Sequence, residues 1–307
     1  MSSATVFSPR KSKRRAVTSN DGVCAACERQ VEPRPVIHTD SIQLYHCNYC
    51  GTLTSLPRPT PKSQASLHDT AEYFDHPYFQ ARREDDALAL KRCERILDQI
   101  AGVTDLALLR GEPMLDIGCD SGSLLVAAAQ KCGVSPLGVD VSERAAQIAR
   151  SRGLNVFRGM LEQAPPEFTG VKLVTAVDVL EHVVDPGSLL EAISSRLRTG
   201  GIAFIQTPNR DSVVYNVGRI LSRLTQVPLQ NTLERLFPPQ HIQYFSRRGL
   251  EILAERIGFQ VLHIRTRMLP MPDIVTSGMV RFGLMGLQGL DFVLGREILL
   301  CAVLCKS

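Results

Sequence analysis

The chain contains no run of 18 consecutive apolar residues, and outside its first 20 residues it has almost no net charge. Because the apolar run is missing, no transmembrane helix is predicted. The first 20 residues hold five Lys and Arg and no acid, so the rest of the chain holds 30 Lys and Arg against 31 Asp and Glu. A body of such balanced charge does not predict a large basic face for nucleic acid.

The five basic residues of that first segment all lie within Arg10–Arg15. We predict a solvated, disordered tail over residues 1–20. Contact with RNA, phosphate groups or an anionic membrane, or a role as a nuclear import tag, stays open. No apolar segment follows the run, so no secretory signal is predicted. Nine cysteines, several of them inside strand-like and helix-like segments, are typical of a reducing compartment. We therefore predict a cytoplasmic protein.

The glycine-containing turn near residue 120 lacks the G-x-G-x-x-G spacing of dinucleotide-binding proteins. An apolar lead-in reaches Asp116, glycines follow at Gly118 and Gly122, and a helical run begins at Leu124. Asp120 stands where a second glycine is expected, and an acidic loop is a poor cradle for pyrophosphate. The loop suits a ligand with an amine and a positive centre, as S-adenosylmethionine has in its α-ammonium and sulfonium groups. An ordinary strand-to-helix turn is the alternative.

Further acids at strand ends extend this predicted cofactor site. Asp140 ends a second strand and is placed to accept both ribose hydroxyls. Asp178 follows a later strand and is predicted to face the methionine moiety or to hold the loop, and Leu161 flanks the adenine by position alone. We therefore expect cofactor contacts at these residues: Asp116, Gly118, Cys119, Asp120, Gly122, Asp140, Val141, Leu161 and Asp178.

Strand-like and helix-like segments alternate through this part of the chain, which predicts right-handed βαβ units and a parallel sheet. Ser142 is a predicted N-cap, and Gly200 and Gly201 are predicted to stop a preceding helix. The predicted strands end at residues 116, 140, 178, 209, 267 and 305, and the predicted helices cover residues 82–100, 124–130, 143–151, 186–198 and a segment from Ser246.

Two C-x-x-C pairs lie near the start of the chain, with 19 residues between them. This spacing is typical of a tetrahedral zinc site, and we predict structural Zn²⁺ bound by Cys24, Cys27, Cys47 and Cys50. Redox-active or unpaired thiols are the alternative. A module of about 35 residues cannot build a stable core by itself, so the metal is expected to supply its folding energy.

The predicted organisation is a tail over residues 1–20, a zinc ribbon over 21–56, a proline-containing linker over 57–70 and an α/β domain over 71–307. Two long connections, about 210–239 and 268–295, are predicted to be walls of a pocket for a bulky, partly apolar acceptor. A homodimer contact or an extension of the core is the alternative. The aromatic segment 71–79 is predicted to pack over the cofactor or against the first helix of the domain.

Five segments in order carry a resemblance to a known family: LDIGCDSG, GVD, VDVLEHVVDP, LRTGGIAFIQTPN and HIQYFSRRGLEILAERIGF. From roughly Ala71 to Lys306 the chain resembles the class I S-adenosylmethionine-dependent methyltransferases, especially ubiquinone-type O-methyltransferases and bacterial glycan and natural-product methyltransferases. The resemblance implies a Rossmann-like α/β fold with a seven-stranded sheet and helices on both faces. It also implies O-methylation of a small-molecule, glycan or lipid-linked acceptor.

Two histidines are candidate catalytic bases, because methyl transfer to a hydroxyl must remove a proton. His182 lies beyond the carboxyl end of a strand, where ligands bind in open α/β sheets. Its unperturbed pKa suits a base at neutral pH, and Glu181 is placed to hold its tautomer or a metal. His241 lies in a segment that matches the family's substrate-side loop. The alternatives are a capping or packing role for His182 and a structural or substrate contact for His241.

Two other functions compete with this hypothesis. An RNA methyltransferase is favoured by the basic tail and the zinc ribbon, but the chain lacks an N-P-P-Y-type motif and its body is nearly neutral. A non-catalytic cofactor-binding scaffold is favoured only by Asp120, since the family usually has glycine at this position.

Overall fold

The computed structural model describes residues 22–68, 70, 86–224, 230–269 and 278–307. The predicted basic tail and the aromatic segment 71–79 lie outside the described residues. The helix predicted from residue 82 is described from Asp86, as α2, Asp86–Ala101.

A seven-stranded mixed sheet forms the centre of the molecule, in the order β10-β11-β8-β7-β4-β5-β6. Its strands are β4 (Pro113–Ile117), β5 (Ser135–Asp140), β6 (Asn155–Arg158), β7 (Val171–Val177), β8 (Leu197–Pro208), β10 (Phe259–Arg267) and β11 (Leu299–Lys306). Strands β4 to β8 are parallel, as predicted, but β11 runs antiparallel between β8 and β10. The Rossmann-like α/β class is therefore confirmed, and the sheet is mixed because the last strand inserts beside β8.

Successive residues of the strands belong to two different cores. Met114 and Leu173 pack in the core that includes α2 and α3 (Ser123–Cys132), whereas Leu115 and Val174 pack in the core that includes α5 (Pro186–Arg196) and α8 (Arg247–Arg256). Neighbouring side chains of a strand point to opposite faces. Helices therefore cover both faces of the sheet, which confirms the predicted arrangement.

Side-chain caps fix where several helices begin. The predicted N-cap Ser142 accepts a hydrogen bond from the backbone of Ala145 and starts α4 (Glu143–Ser151). Asp185 and Ser246 start α5 and α8 in the same way. Such side-chain oxygens satisfy backbone N–H groups that have no partner within the helix.

Two predicted boundaries are wrong by a few residues. The helix predicted to reach Arg198 ends at Arg196, because Leu197 already pairs with Val171 as the first residue of β8. The predicted helix stop, Gly200 and Gly201, therefore lies inside an extended strand. The last strand begins at Leu299 rather than at Arg296, and it is preceded by a turn in which Arg296 N donates to Asp291 O.

The region of the predicted zinc ribbon, residues 21–56, is called the cysteine module below. It carries three short strands, β1 (Pro35–His38), β2 (Gln43–His46) and β3 (Leu53–Ser55). A fourth strand, β9 (Gln243–Tyr244), comes from the α/β part and pairs with β3. The predicted division into ribbon, linker and α/β domain stays a prediction, but this antiparallel sheet crosses it. The predicted linker holds a helix, α1 (Pro61–His68).

The two long connections are largely helical. The first holds α6 (Val213–Leu224) and α7 (Gln230–Leu236), and the second holds α9 (Gly278–Leu294). On α9 the polar side chains of Gln288 and Asp291 are buried, while Phe282 and Val293 are 77% and 78% exposed. Among the described helices, none combines the length and the apolar character that a membrane crossing requires.

Candidate functional site

The predicted cofactor loop wraps over the carboxyl ends of β4 and β5. The backbone N–H groups of Gly118 and Cys119 both donate to Val139 O, at 2.8 and 3.2 Å. The next N–H, that of Asp120, donates to Asp140 Oδ2 at 2.8 Å, and Asp140 Oδ1 accepts from Ser142 N. Asp140 therefore ties the first loop to the second, and this edge is where open α/β sheets bind their ligands.

Three carboxylates crowd together at this edge. Asp116 is buried, and its Oδ1 accepts a hydrogen bond of 2.6 Å from Thr175. The pKa of Asp116 is raised to about 7, mainly by burial and also by repulsion from Asp140 and Asp120, against the lowering effect of the Thr175 hydrogen bond. The same three acids, after burial, raise the pKa of the Cys119 thiol well above its usual value. The crevice therefore has an electrostatic preference for a cation.

Positive φ angles at two acids shape the neighbouring loops. Asp120 has φ 46° and Asp178 has φ 56°, a conformation that few residues other than glycine adopt and that Asp tolerates better than most. Such strained residues cluster at functional sites. At Gly118, φ 68°, a Cβ atom would fall 2.7 Å from Val179, so a side chain there would collide with the loop after β7. These glycine and aspartate positions hold the two loops close together.

The structure brings most of the predicted cofactor residues to one edge of the sheet. The side chains of Asp178 and Leu161, however, are engaged within the protein. Asp178 Oδ1 accepts from Gln206 Nε2 at 3.1 Å, which holds its loop to β8. Leu161 is buried in the core beneath the site. Val141 is half-buried beside Asp140. Contact of these residues with a cofactor stays a prediction.

Arg196 was not singled out from the sequence, although it holds the loop that contains Leu161. Its guanidinium donates to the carbonyls of Pro165, Leu161 and Ala164 at 3.1, 2.9 and 2.8 Å. Arg196 is buried at the end of α5. The only sequence signal is its place on the apolar face of that helix, which does not reveal the three backbone carbonyls it binds.

The two candidate histidines are in contact with each other. Their rings are 4.7 Å apart between centroids, at an angle of 75°. His182 Nδ1 lies 3.0 Å from Gln240 O, and because a carbonyl only accepts, Nδ1 carries the proton. The tautomer is thus held by Gln240, whereas the sequence had suggested Glu181. The pKa of His182 is lowered to about 3, mainly by burial and also by the neighbouring His241, so His182 is neutral and weakly basic.

Glu181 is fully buried next to this pair. Its Oε2 accepts from Thr207 Oγ1 at 3.0 Å, and its Oε1 has no hydrogen-bond partner among the described residues. Burial raises the pKa of Glu181 well above its usual value, and Asp178 adds to the rise. Glu181, His182 and His241 each offer a ligand atom within 4.8 Å of the others, which is also a geometry that a cation accepts.

The four predicted zinc ligands are gathered in one place. Their sulfur atoms all lie within 4.8 Å of one another, with Cys24 to Cys50 and Cys27 to Cys47 at 3.5 Å. Tetrahedral Zn–S bonds of about 2.3 Å place sulfurs roughly 3.8 Å apart, so the cluster fits one ion. The hydrogen bond with Cys24 lowers the pKa of Cys50 to about 5, whereas burial raises that of Cys27 to about 11.

A family model described as "Methyltransferase domain" matches residues 82–264. The chain is 36% identical over 110 residues to a ubiquinone biosynthesis O-methyltransferase of Bordetella avium, covering 34% of this chain and 45% of that protein. It is 34% identical over 123 residues to the protein of the same name in Pseudomonas aeruginosa, covering 37% and 51%. The chain thus spans about half the length of these curated relatives. The match to the Cupriavidus pinatubonensis protein of the same name is longer, with 26% identity over 65% of this chain and 81% of that protein.

Solved structures share the fold at low sequence identity. A phosphoethanolamine N-methyltransferase of Haemonchus contortus, solved with S-adenosyl-L-methionine, aligns with a TM-score of 0.59 and 15% identity, over 83% of this chain and 62% of that chain. A SAM-dependent methyltransferase of Thermotoga maritima aligns with a TM-score of 0.51 and 18% identity, over 80% of this chain and all of that chain. These likenesses concern the fold alone.

Proposed function

The chain belongs to the methyltransferase-domain family, and from this premise we propose that it transfers a methyl group from S-adenosylmethionine to an oxygen atom of a small-molecule acceptor. The observation that carries the proposal is the crowding of Asp116, Asp120 and Asp140 at the carboxyl edge of the sheet. Three mutually repelling acids favour a ligand with positive charge, and S-adenosylmethionine brings an ammonium and a sulfonium.

The loops divide the binding task between them. Asp140, whose two carboxylate oxygens accept hydrogen bonds of 2.8 Å from Asp120 N and Ser142 N, is assigned to the ribose hydroxyls. The first backbone N–H groups of α3, which follow Gly122, lie at the N-terminal end of the helix, where a carboxylate is favoured. The backbone after β6, at Leu161, is assigned to the adenine. These assignments extend the sequence-based prediction, and the described geometry supports them.

Removal of the acceptor proton is assigned to His241, with His182 in a positioning role. A pKa of about 3 makes His182 a poor proton acceptor near neutral pH, where a general base works best when its pKa is close to the pH. His241 lies against it at 4.7 Å between centroids. The donor supplies the reactive methyl group, so the protein has to align the acceptor oxygen, exclude water and accept one proton.

The oxygen specificity rests on the ubiquinone-type relatives, whose names state O-methylation. Structural Zn²⁺ at Cys24, Cys27, Cys47 and Cys50 is also part of the proposal, supported by the sulfur distances. A cytoplasmic location, a homodimer and a glycan or lipid-linked acceptor remain predictions from the sequence.

Binding and transfer are tested together with calorimetry and a labelled methyl donor. We expect micromolar affinity for S-adenosylmethionine, and transfer of label to a component of a fractionated cell extract. His241→Ala should lower kcat by about 10²- to 10⁴-fold, the usual contribution of a general base, with little change in cofactor affinity. His182→Ala should have a smaller effect on kcat.

The control is His263→Ala, which removes a histidine of β10 outside this pair. It should leave transfer unchanged. No binding at millimolar cofactor would refute the proposed function. Full activity in the double variant His182→Ala with His241→Ala would instead show that alignment alone accelerates the reaction.

A further inference from the structure

The segment that carries His241 is built into the sheet of the cysteine module. Leu53 pairs with Tyr244 and Thr54 with Gln243, and Ser55 N donates to Ile242 O at 2.8 Å. Strand β9 is only two residues long, so its place in the sheet depends on its pairing with β3. The chain immediately after His241 is therefore positioned by the module.

The turn that holds Cys47 and Cys50, here called the second cysteine knuckle, contacts the other end of the same segment. Ser246 Oγ, the N-cap of α8, donates to Cys50 O, and Cys47 N donates to Thr52 O at 3.0 Å. A Cβ atom on Gly249 would fall 2.0 Å from Thr52 Oγ1. This contact leaves no room for a side chain at residue 249, so the knuckle and the start of α8 pack directly against each other.

A third contact runs through α1. The buried side chain of Gln64 donates from Nε2 to Gln240 O at 2.8 Å, and this carbonyl also accepts the Nδ1 proton of His182 at 3.0 Å. Ile242 N donates to Glu181 O at 2.9 Å on the same side. The segment 240–246 is thus held by the loop of His182 on one side and by the module on the other.

We propose that the metal-loaded cysteine module sets the position of the His182–His241 pair, with Gln64 as a positioning residue. The metal closes both knuckles, the knuckles fix β3 and the start of α8, and these fix residues 240–246. This inference rests on the proposed zinc site and on the proposed role of the histidines. It gives the module a task in the reaction that a purely structural ribbon would not have.

Hydrogen exchange of the full chain tests the metal step. Zinc-loaded wild-type protein is compared with Cys27→Ser, which removes a ligand of the first knuckle, far along the chain from β3. A variant is preferable to a chelator, since Glu181, His182 and His241 also form a geometry that accepts a cation. We expect exchange in the peptide covering residues 240–246 to become at least about tenfold faster, and exchange in β7 to stay unchanged. Equal protection of residues 240–246 in the two proteins would overturn the proposal.

Gln64→Ala tests the positioning role of Gln64 with all four cysteines intact. We expect one zinc per chain and unchanged affinity for S-adenosylmethionine, together with a changed tautomer signal of His182 in nitrogen NMR and a kcat about tenfold lower at unchanged KM. Gln147→Ala, which removes an exposed glutamine that bonds only Glu143 in the described contacts, is the matched control and should match wild type.

The outcomes separate the two proposals. A wild-type NMR signal and wild-type kcat in Gln64→Ala would overturn the positioning role of Gln64. If S-adenosylmethionine does not bind at all, the proposed function fails, while the exchange and NMR measurements still decide whether the module positions the histidines.

Discussion

Asp116 is an acid at a position where ionisation is costly. It is buried at the end of β4, and Asp120 and Asp140 add repulsion, so its pKa is raised to about 7. Thr175 offsets part of this cost with one hydrogen bond. A cationic ligand in the crevice would favour the ionised carboxylate, and binding of the ligand would then release a proton.

The affinity for S-adenosylmethionine should therefore rise with pH. If the ligand binds the ionised form of Asp116, the association constant should increase about tenfold between pH 6 and pH 8 and level off above the pKa of about 7. Calorimetry across this range measures it. In Asp116→Asn the part of the slope that comes from the protein should vanish. The ligand's own amine contributes equally to both proteins, so identical slopes would contradict the role of Asp116.

His182 shows how a side chain can change its role on burial. From the sequence, its unperturbed pKa suggested a base. In the structure its surroundings lower the pKa to about 3, and the Nδ1 proton is held on the ring by a hydrogen bond to Gln240 O. Since His182 has a folded pKa below its unfolded value, it contributes stability that is present above about pH 6.5 and is lost as the pH falls toward 3. The opposite shift at Asp116 works against this slope over much of the same range.

At the scale of elements, the loop after β6 depends on the end of α5. Three carbonyl groups of this loop, those of Leu161, Ala164 and Pro165, accept hydrogen bonds from one guanidinium, that of Arg196. A buried arginine with several backbone acceptors fixes a loop more rigidly than the loop's own short helical turns, Leu161–Gln163 and Pro166–Phe168. Arg196 thus connects a packing helix to the proposed adenine side of the site.

Arg196→Met should lower the free energy of unfolding by about 2–3 kcal/mol, because it removes three hydrogen bonds to a charged group, and Ala164 O has no other donor among the described contacts. It should also weaken S-adenosylmethionine binding by about tenfold. Urea unfolding and calorimetry measure the two effects. Arg198→Met is the matched control: Arg198 is exposed, its ion pair with Glu112 lies at the surface, and the change should be about 0.5 kcal/mol or less. Equal losses in the two variants would rule out this role for Arg196.

At the scale of the whole molecule, the cysteine module shares its core with the α/β part. Ile37, Leu44 and Leu53 of the module pack in one cluster with Tyr215, Phe237 and Tyr244. The cysteines themselves adjoin the larger core. The expectation that metal binding supplies the module's folding energy is therefore too narrow, since burial against the α/β part also stabilises the module.

A shared core predicts that the module and the α/β part unfold together. Leu44→Ala, a cavity in the module, should lower the stability of the single unfolding transition by about 2–5 kcal/mol. Differential scanning calorimetry should show one shifted peak. Leu67→Ala on α1 is the control, since Leu67 is 37% exposed and should have little effect. Two separate peaks, with only the smaller one shifted, would show that the module unfolds independently.

The sequence alone determined the elements that depend on local patterns. The alternation of β5, α4 and β7, the cap Ser142, the start of a helix at Ser246 and the spacing of the cysteine pairs follow from periodicity and from side chains that bond their own neighbours. The acids that end β4 and β5 could also be assigned from the sequence, because the carboxyl ends of parallel strands meet at one edge.

Tertiary structure alone decided which distant segments meet. The insertion of β11 between β8 and β10, the pairing of β3 with β9 and the three acceptors of Arg196 join residues far apart in the chain, and no local pattern encodes them. The pKa of His182 was decided in the same way, since desolvation and the neighbouring His241 exist only after folding. Periodicity records which face of an element is buried, but not which partner buries it.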